Sequence, residues 1–253
     1  YIASRAFRGC SALATISWGK SLKAIDAAAF SDCTALTILD LPDGLERIGV
    51  SAFEGCTALG ALSLGQGLVE IESSAFRGCR GITALSLPDG VERIGAMAFE
   101  GCDGLSAISW SVSLQEIGDG AFRSCSNLIE VNLPSNVQHL GASAFEGCTA
   151  LSMASLGDKM ETIGSAAFMK CVNLQTVKLP QSLKQIKDYA FAYCSNLKSV
   201  SMPESVESIG SNAFYSCSGL TGELTIPDSV TSIGDSAFKG CSRLTSVTIG
   251  NSV

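Results

Sequence analysis

The sequence predicts an α/β repeat solenoid, rich in β structure, built as one stack of about eleven 23-residue rungs. The first observation behind this is Ala-Phe recurring at 6-7, 29-30, 52-53, 75-76, 98-99, 121-122, 144-145, 167-168, 190-191, 213-214 and 237-238. The step is 23 residues throughout except for a final 24. The second is a Cys three residues after each Phe, from Cys10 to Cys241, so that one register uses all 11 Phe and all 11 Cys. The third is that this register fills the chain, leaving 1-253 as a single solenoid without a linker or second domain.

Each element of a rung follows from its apolar spacing, as in Cys79-x-x-Ile82-x-x-Leu85-x-Leu87-Pro88-x-x-Val91-x-x-Ile94-Gly95-x-x-Ala98-Phe99. The Leu85-x-Leu87 alternation has the period of a strand with one buried face. Pro42, Pro88, Pro134, Pro180, Pro203 and Pro227 stand just past it, where a missing N–H ends pairing. Val91-x-x-Ile94-Gly95 reads as a second short extended piece and a turn. Asp26, Glu72 and Lys187 replace the Gly there, so a positive φ is not expected at that position. Ala98-Phe99-x-x-Cys102 has i, i+3 spacing and predicts one helical or 3-10 turn. The single slip lies between Leu220 and Ile226, where a bulge or widened turn is expected.

Composition bounds the function. With 24 Asp+Glu against 17 Lys+Arg and a net charge of −7, the chain lacks the positive field that nonspecific nucleic-acid binding needs. No apolar run approaches the roughly 18 residues of a membrane span. At 46% hydrophobic residues the chain is not of the disordered class.

The string Leu-x-x-Leu-x-Leu-Pro-x-x-Leu-x-x-Ile-Gly-x-x-Ala-Phe-x-x-Cys resembles the 23-residue leucine-rich repeat of BspA-like surface antigens, and Ile226 to Cys241 is nearly that consensus. The resemblance implies a curved leucine-rich-repeat solenoid with a parallel sheet on its concave side. It also implies a cell-surface or secreted protein that acts in adhesion or protein binding. Fold does not by itself name a partner.

Specificity must then reside in the variable positions. The exposed strand residues are mostly small and neutral, and the departures are Asp40, Glu130, Asn132, Met153, Lys178 and Lys198, the candidate partner-binding set on the concave face. A second candidate, a convex contact patch, is Met169, Tyr189, Tyr193 and Tyr215, because aromatic residues with a polar tip are enriched at interfaces. The alternatives are drift on a solvated sheet for the first set and Tyr rings covering their own core for the second. Trp18 and Trp110 occupy a position filled elsewhere by Leu, Met or Ile and read as packing.

The chemistry of catalysis finds little to build on. The Cys form one column with no C-x-x-C, so no metal site is expected. Thiols about 4.8 Å apart and parallel do not suit the roughly 3.5 to 4.5 Å Cβ separation of a disulfide, and are read as buried free thiols acting as small hydrophobes. His139, the only His, has no nucleophile or acid arranged about it, and no cofactor motif is complete. The expectation is a non-catalytic protein-binding or adhesion module, the alternative a structural element packed inside a larger assembly. Tyr1 and Val253 both fall within a rung, so further repeats or capping domains are expected at both ends.

Charge alternates from rung to rung at two positions. After Phe it runs Glu54, Arg77, Glu100, Arg123, Glu146, and in the second extended piece Arg47, Glu70, Arg93, Glu116, His139. Each exposed pair is worth only about 0 to 1 kcal/mol, but a one-rung slip would bring like charges together. Together with Pro at every second rung from Pro42 to Pro180, the alternation implies a 46-residue ancestral unit. Replacing both Arg77 and Arg123 by Glu is expected to lower the melting temperature more at low salt than at high salt. Thermal melts at two ionic strengths check this, and equal losses would refute the ladder.

Overall fold

In a computed structural model, which describes residues 1–253, every strand pairing is parallel and joins equivalent positions of neighbouring rungs. The one continuous sheet has ten strands of two residues each, from Ala24–Ile25 and Arg47–Ile48 to Ser232–Ile233, and a bridge from Ile2 to Ile25 extends it. This is the second extended piece of the sequence pattern, not the Leu-x-Leu piece. Its Gly residues account for the tight pairing. Gly95 has no positive φ, but a Cβ there would lie 2.6 Å from the backbone N of Ser73 in the preceding rung. At Gly95 a side chain would therefore force the neighbouring backbone to shift, while the rungs of Asp26, Glu72 and Lys187 accommodate one at the equivalent position.

The Leu-x-Leu strands form shorter sheets. Ile38–Asp40 pairs with Ala61–Ser63, Ala84–Ser86 with Ala107–Ser109, and Glu130–Asn132 with Met153–Ser155 and then Thr176–Lys178. The first strand of each group precedes Pro42, Pro88 or Pro134, so these breaks follow the 46-residue double rung, whereas Thr176–Lys178, before Pro180, stays joined to the preceding strand. The extra residue of the last step appears as expected: strands Thr221–Ile226 and Arg243–Ile249 shift register between Gly222 and Glu223, with Gly222 at φ 78°.

The turn around Phe corrects the sequence reading, because the chain contains no helix or 3-10 segment there. Every rung instead places the residues two before and two after Phe in the left-handed region, as at Ser51 (φ 55°) and Gly55 (φ 75°) around Phe53. Backbone N–H groups then alternate in direction. Those of Ser51, Phe53 and Gly55 donate to Ser73, Ala75 and Arg77 of the next rung at 2.8–2.9 Å. Those of Ala52, Glu54 and Cys56 close local turns onto Gly49, Ser51 and Phe53. A helix would need all six to point along one axis. The i, i+3 spacing arises from two linked turns, and only 20 of the 146 backbone hydrogen bonds lie within strands, so these turn ladders carry much of the stack.

Inside, the Phe rings form one continuous file. Neighbouring rings from Phe7 to Phe238 stack with centroids 5.0–5.4 Å apart and planes within 14° of parallel. Trp18 and Trp110 meet Phe30 and Phe122 edge-on at 5.6 and 5.5 Å, which agrees with a packing role.

The two kinds of glycine are expected to behave differently on replacement. Gly78→Ala meets no atom within 4 Å but keeps φ at +71°, so its cost is conformational, about 1 to 2 kcal/mol. Gly95→Ala drives a Cβ into backbone at 2.6 Å and should cost more. Denaturant unfolding of the two variants checks the order; the reverse would refute the close-approach account.

Candidate functional site

The three-stranded sheet Glu130–Asn132, Met153–Ser155, Thr176–Lys178 gathers most of the first candidate set. Its register aligns Glu130 with Met153 and Thr176, and Asn132 with Ser155 and Lys178. Val131 and Ala154 point inward and are buried, while Glu130, Asn132, Met153 and Lys178 are exposed, Met153 by 40%. Lys198 lies one rung on, its backbone N–H donating to the carbonyl of Gln175 at 3.2 Å. Asp40 is not part of this group. It pairs with Ser63, four 23-residue steps before Asn132, roughly 19 Å away at about 4.8 Å per rung.

The charge ladders are realised unequally. After Phe, Arg77 bridges Glu54 at 3.3 Å and Glu100 at 2.9 Å, and Arg123 closes on Glu100 from the other side, with Nε to Oε1 at 2.8 Å. Glu146 turns instead to Lys170 at 3.8 Å. In the long sheet only Glu70 and Arg93 pair in line, at 2.7 Å. Arg47 reaches diagonally to Asp26 and to Glu72, the latter at 3.2 Å, and these carboxylates hold its guanidinium above its ordinary pKa. The residues that replace Gly at 26 and 72 are thus the partners of Arg47, a role that column-by-column reading missed. Beside this sheet runs a polar groove of about 750 Å³, with Gly95, Gly118, Gly141 and Gly164 along it and Arg93, Glu116, Asp119, His139 and Lys187 among its lining residues.

The second candidate set also comes together, in two states of burial. Tyr189 and Tyr193 are 43% and 42% exposed, whereas Tyr215 and Met169 are half-buried about the fully buried Ala192. Tyr193 and Tyr215 meet edge-on with centroids 5.3 Å apart, and the Lys239 ammonium stands 5.9 Å from the Tyr215 centroid. Lys239 and Lys170 were not among the residues singled out from sequence; the change from Arg to Lys after Arg123 is the signal that could have found them.

With this geometry established, comparison with known proteins places the chain. The family model for the BspA type leucine rich repeat region matches residues 1–106, 69–198 and 161–253. The chain belongs to the BspA-type leucine-rich-repeat family. This BspA-type chain is similar to a leucine-rich repeat protein from Bacteroides ovatus, with 29% identity and a TM-score of 0.85 over 98% of this chain and 70% of that one. It is also similar to a T. pallidum leucine rich repeat protein, TpLRR, at 31% identity and a TM-score of 0.57 over 70% of this chain and 72% of that one. A leucine rich cell surface protein from Faecalibacterium prausnitzii shares the fold, with 24% identity and a TM-score of 0.50 over 90% of this chain and 79% of that one. A search of curated proteins finds no match.

The BspA-type Cys column does more than fill space. Each thiol from Cys33 to Cys241 donates to the backbone carbonyl of the preceding rung's Phe, at 3.1–3.3 Å. All eleven are free, and only Cys10 is exposed. Burial pushes Cys102, Cys148 and Cys194 from the ordinary 9.0 up to about 12. These thiols stay protonated in the fold while the unfolded chain would ionise them from about pH 9. The unfolded state then binds fewer protons, so stability is complete below pH 9 and falls as pH rises toward 12, by about 1.4 kcal/mol per unit for each such thiol. No three His, Cys, Asp or Glu side chains are placed to hold a metal ion.

Two outcomes are expected. The native protein should react with a thiol reagent at one site, Cys10, and at eleven sites after unfolding; spectrophotometric titration counts them. Denaturant midpoints should fall steeply above pH 9, and midpoints unchanged up to pH 11 would refute thiol burial as the cause.

Proposed function

We propose that this chain is a non-catalytic protein-binding module of a cell-surface or secreted adhesion protein, and that it works through the Leu-x-Leu face around Glu130, Asn132, Met153 and Lys178. The observation that carries the reading is the registered three-stranded sheet, which presents a thioether flanked by carboxylate, amide and ammonium groups on one rigid surface. A partner docking there covers the apolar Met153 and meets both signs of charge at the rim, the usual composition of a protein interface. Little ordering is required at the centre of the patch, because the Met153–Ser155 strand is already paired on both sides. The family and the description of the Faecalibacterium relative as a cell surface protein support the surface setting.

The test is attachment of labelled chain to cultured cells before and after the cells are treated with protease. Attachment is expected to be lost on protease treatment and to fall about tenfold for Met153→Arg with Lys178→Glu, which corresponds to some 1.4 kcal/mol. Both substitutions lie on exposed positions, so the melting temperature should not change. Attachment indifferent to both changes would overturn the reading.

A further inference from the structure

The rear of the array differs from its front in the use of cations. Arg47, Arg77, Arg93 and Arg123 are all engaged with carboxylates. No Arg follows until Arg243, and Lys159 to Lys198 contains six lysines against two carboxylates, Glu161 and Asp188, a local charge of +4 in a chain of −7. An arginine fork suits fixed bidentate pairs, while lysine is a hydrated point charge on a flexible stem. Within the lysine-rich stretch Lys184 pairs closely with Glu161 one rung before, at 3.0 Å, while Lys178, Lys187 and Lys198 form no ion pair, so the ladder thins out there.

On the turn edge of the same rungs, Lys170, Tyr193, Tyr215 and Lys239 come one from each of four successive rungs and form a row along the solenoid axis. Tyr193 follows Lys170 by one 23-residue step, Tyr193 and Tyr215 touch at 5.3 Å, and Lys239 lies 5.9 Å from the Tyr215 ring. The row spans three rung steps, about 14 Å. Both lysines are exposed, and Lys170 has only a loose pair with Glu146 at 3.8 Å. Tyr193 also sits at φ 64°, where six other rungs carry Gly. The left-handed conformation costs a side-chain-bearing residue about 1 to 2 kcal/mol, and burial does not fully offset it, because the side chain is 42% exposed. The conformation itself belongs to the turn, since Asp32, Ser124, Lys170 and Ser216 share it; what sets Tyr193 apart is a large exposed aromatic where the other rungs carry Gly or a polar side chain.

We infer that this row is a docking site for an anionic glycan, a linear saccharide chain bearing carboxylate or sulfate groups and lying along the axis. The C–H face of a sugar ring stacks on the exposed Tyr193 ring, which Tyr215 supports edge-on, and the lysines at either end meet the negative groups. A single-stranded nucleic acid also stacks on aromatic rings, but successive bases require successive open ring faces, and the edge-on Tyr193–Tyr215 pair does not present two of them. An acidic polypeptide supplies charge without a ring for the Tyr pair. The site lies on the turn edge, away from the Leu-x-Leu face, and stands or falls independently of the protein-binding reading.

Surface plasmon resonance of the full chain tests the inference, with a heparin hexasaccharide as the sulfated probe and an oligogalacturonate as the carboxylated one. Neutral dextran, oligothymidylate and polyglutamate are the comparisons. Binding to one or both charged glycans is expected, weakened by salt and by roughly tenfold in Tyr193→Gly with Tyr215→Ser; the better probe identifies the anionic group. Tyr193→Gly alone installs the residue native to six equivalent positions, so its melting temperature should hold or rise while it too weakens binding, and that loss cannot be ascribed to misfolding. No binding to either glycan, equal binding by the variant, or tighter binding of oligothymidylate or polyglutamate would each overturn the inference.

Discussion

The structure depends on the alternation of backbone N–H groups around each Phe, one directed to the next rung and one back into its own turn. A local turn alone leaves half the donors of this segment without a partner, and a helix would consume them all within one rung. Dividing them lets a short segment hold its own shape and bind its neighbour. The left-handed residues two before and two after Phe are the conformational condition for this division. The parallel Phe file at 5.0–5.4 Å is its consequence inside the molecule. Each rung supplies partners that the next cannot supply for itself, so the chain is stable as a stack.

The thiol column belongs to the same arrangement. A Cys three residues beyond Phe has its own N–H closing the turn on the Phe carbonyl, while its sulfur reaches the Phe carbonyl of the rung before, as Cys56 does with Phe30 at 3.3 Å. One carbonyl therefore accepts from two successive cysteines, and a residue that looks like a small hydrophobe also helps satisfy buried backbone. Ala would leave the second lone pair unused.

Because the inner positions are committed to the stack, variation is confined to its outside, where it divides into zones. In the front half Arg47, Arg77, Arg93 and Arg123 pair with carboxylates of neighbouring rungs. The middle presents a small mixed patch on the Leu-x-Leu face, and the rear presents lysine and tyrosine along the turn edge. The two surfaces occupy different sides of one rigid body, so a protein partner and a second ligand could be held at once.

The sequence by itself determined the repeat length, the interior identity of Phe, Cys and the Leu and Ile columns, the parallel stacking and the place of the bulge near Gly222. These follow from periodicity, because identical positions in successive rungs must lie on one another. It also marked Met153, Lys178 and Tyr193 as departures from their columns. It did not decide the form of the Phe turn, because i, i+3 spacing is common to a helical turn and to two linked turns, and only hydrogen bonding to the next rung separates them. Nor did it disclose that Arg47 crosses to Asp26 and Glu72, or that Lys239 meets Tyr215. Contacts between different columns depend on how side chains lean across the surface, and the stacked structure alone decides that.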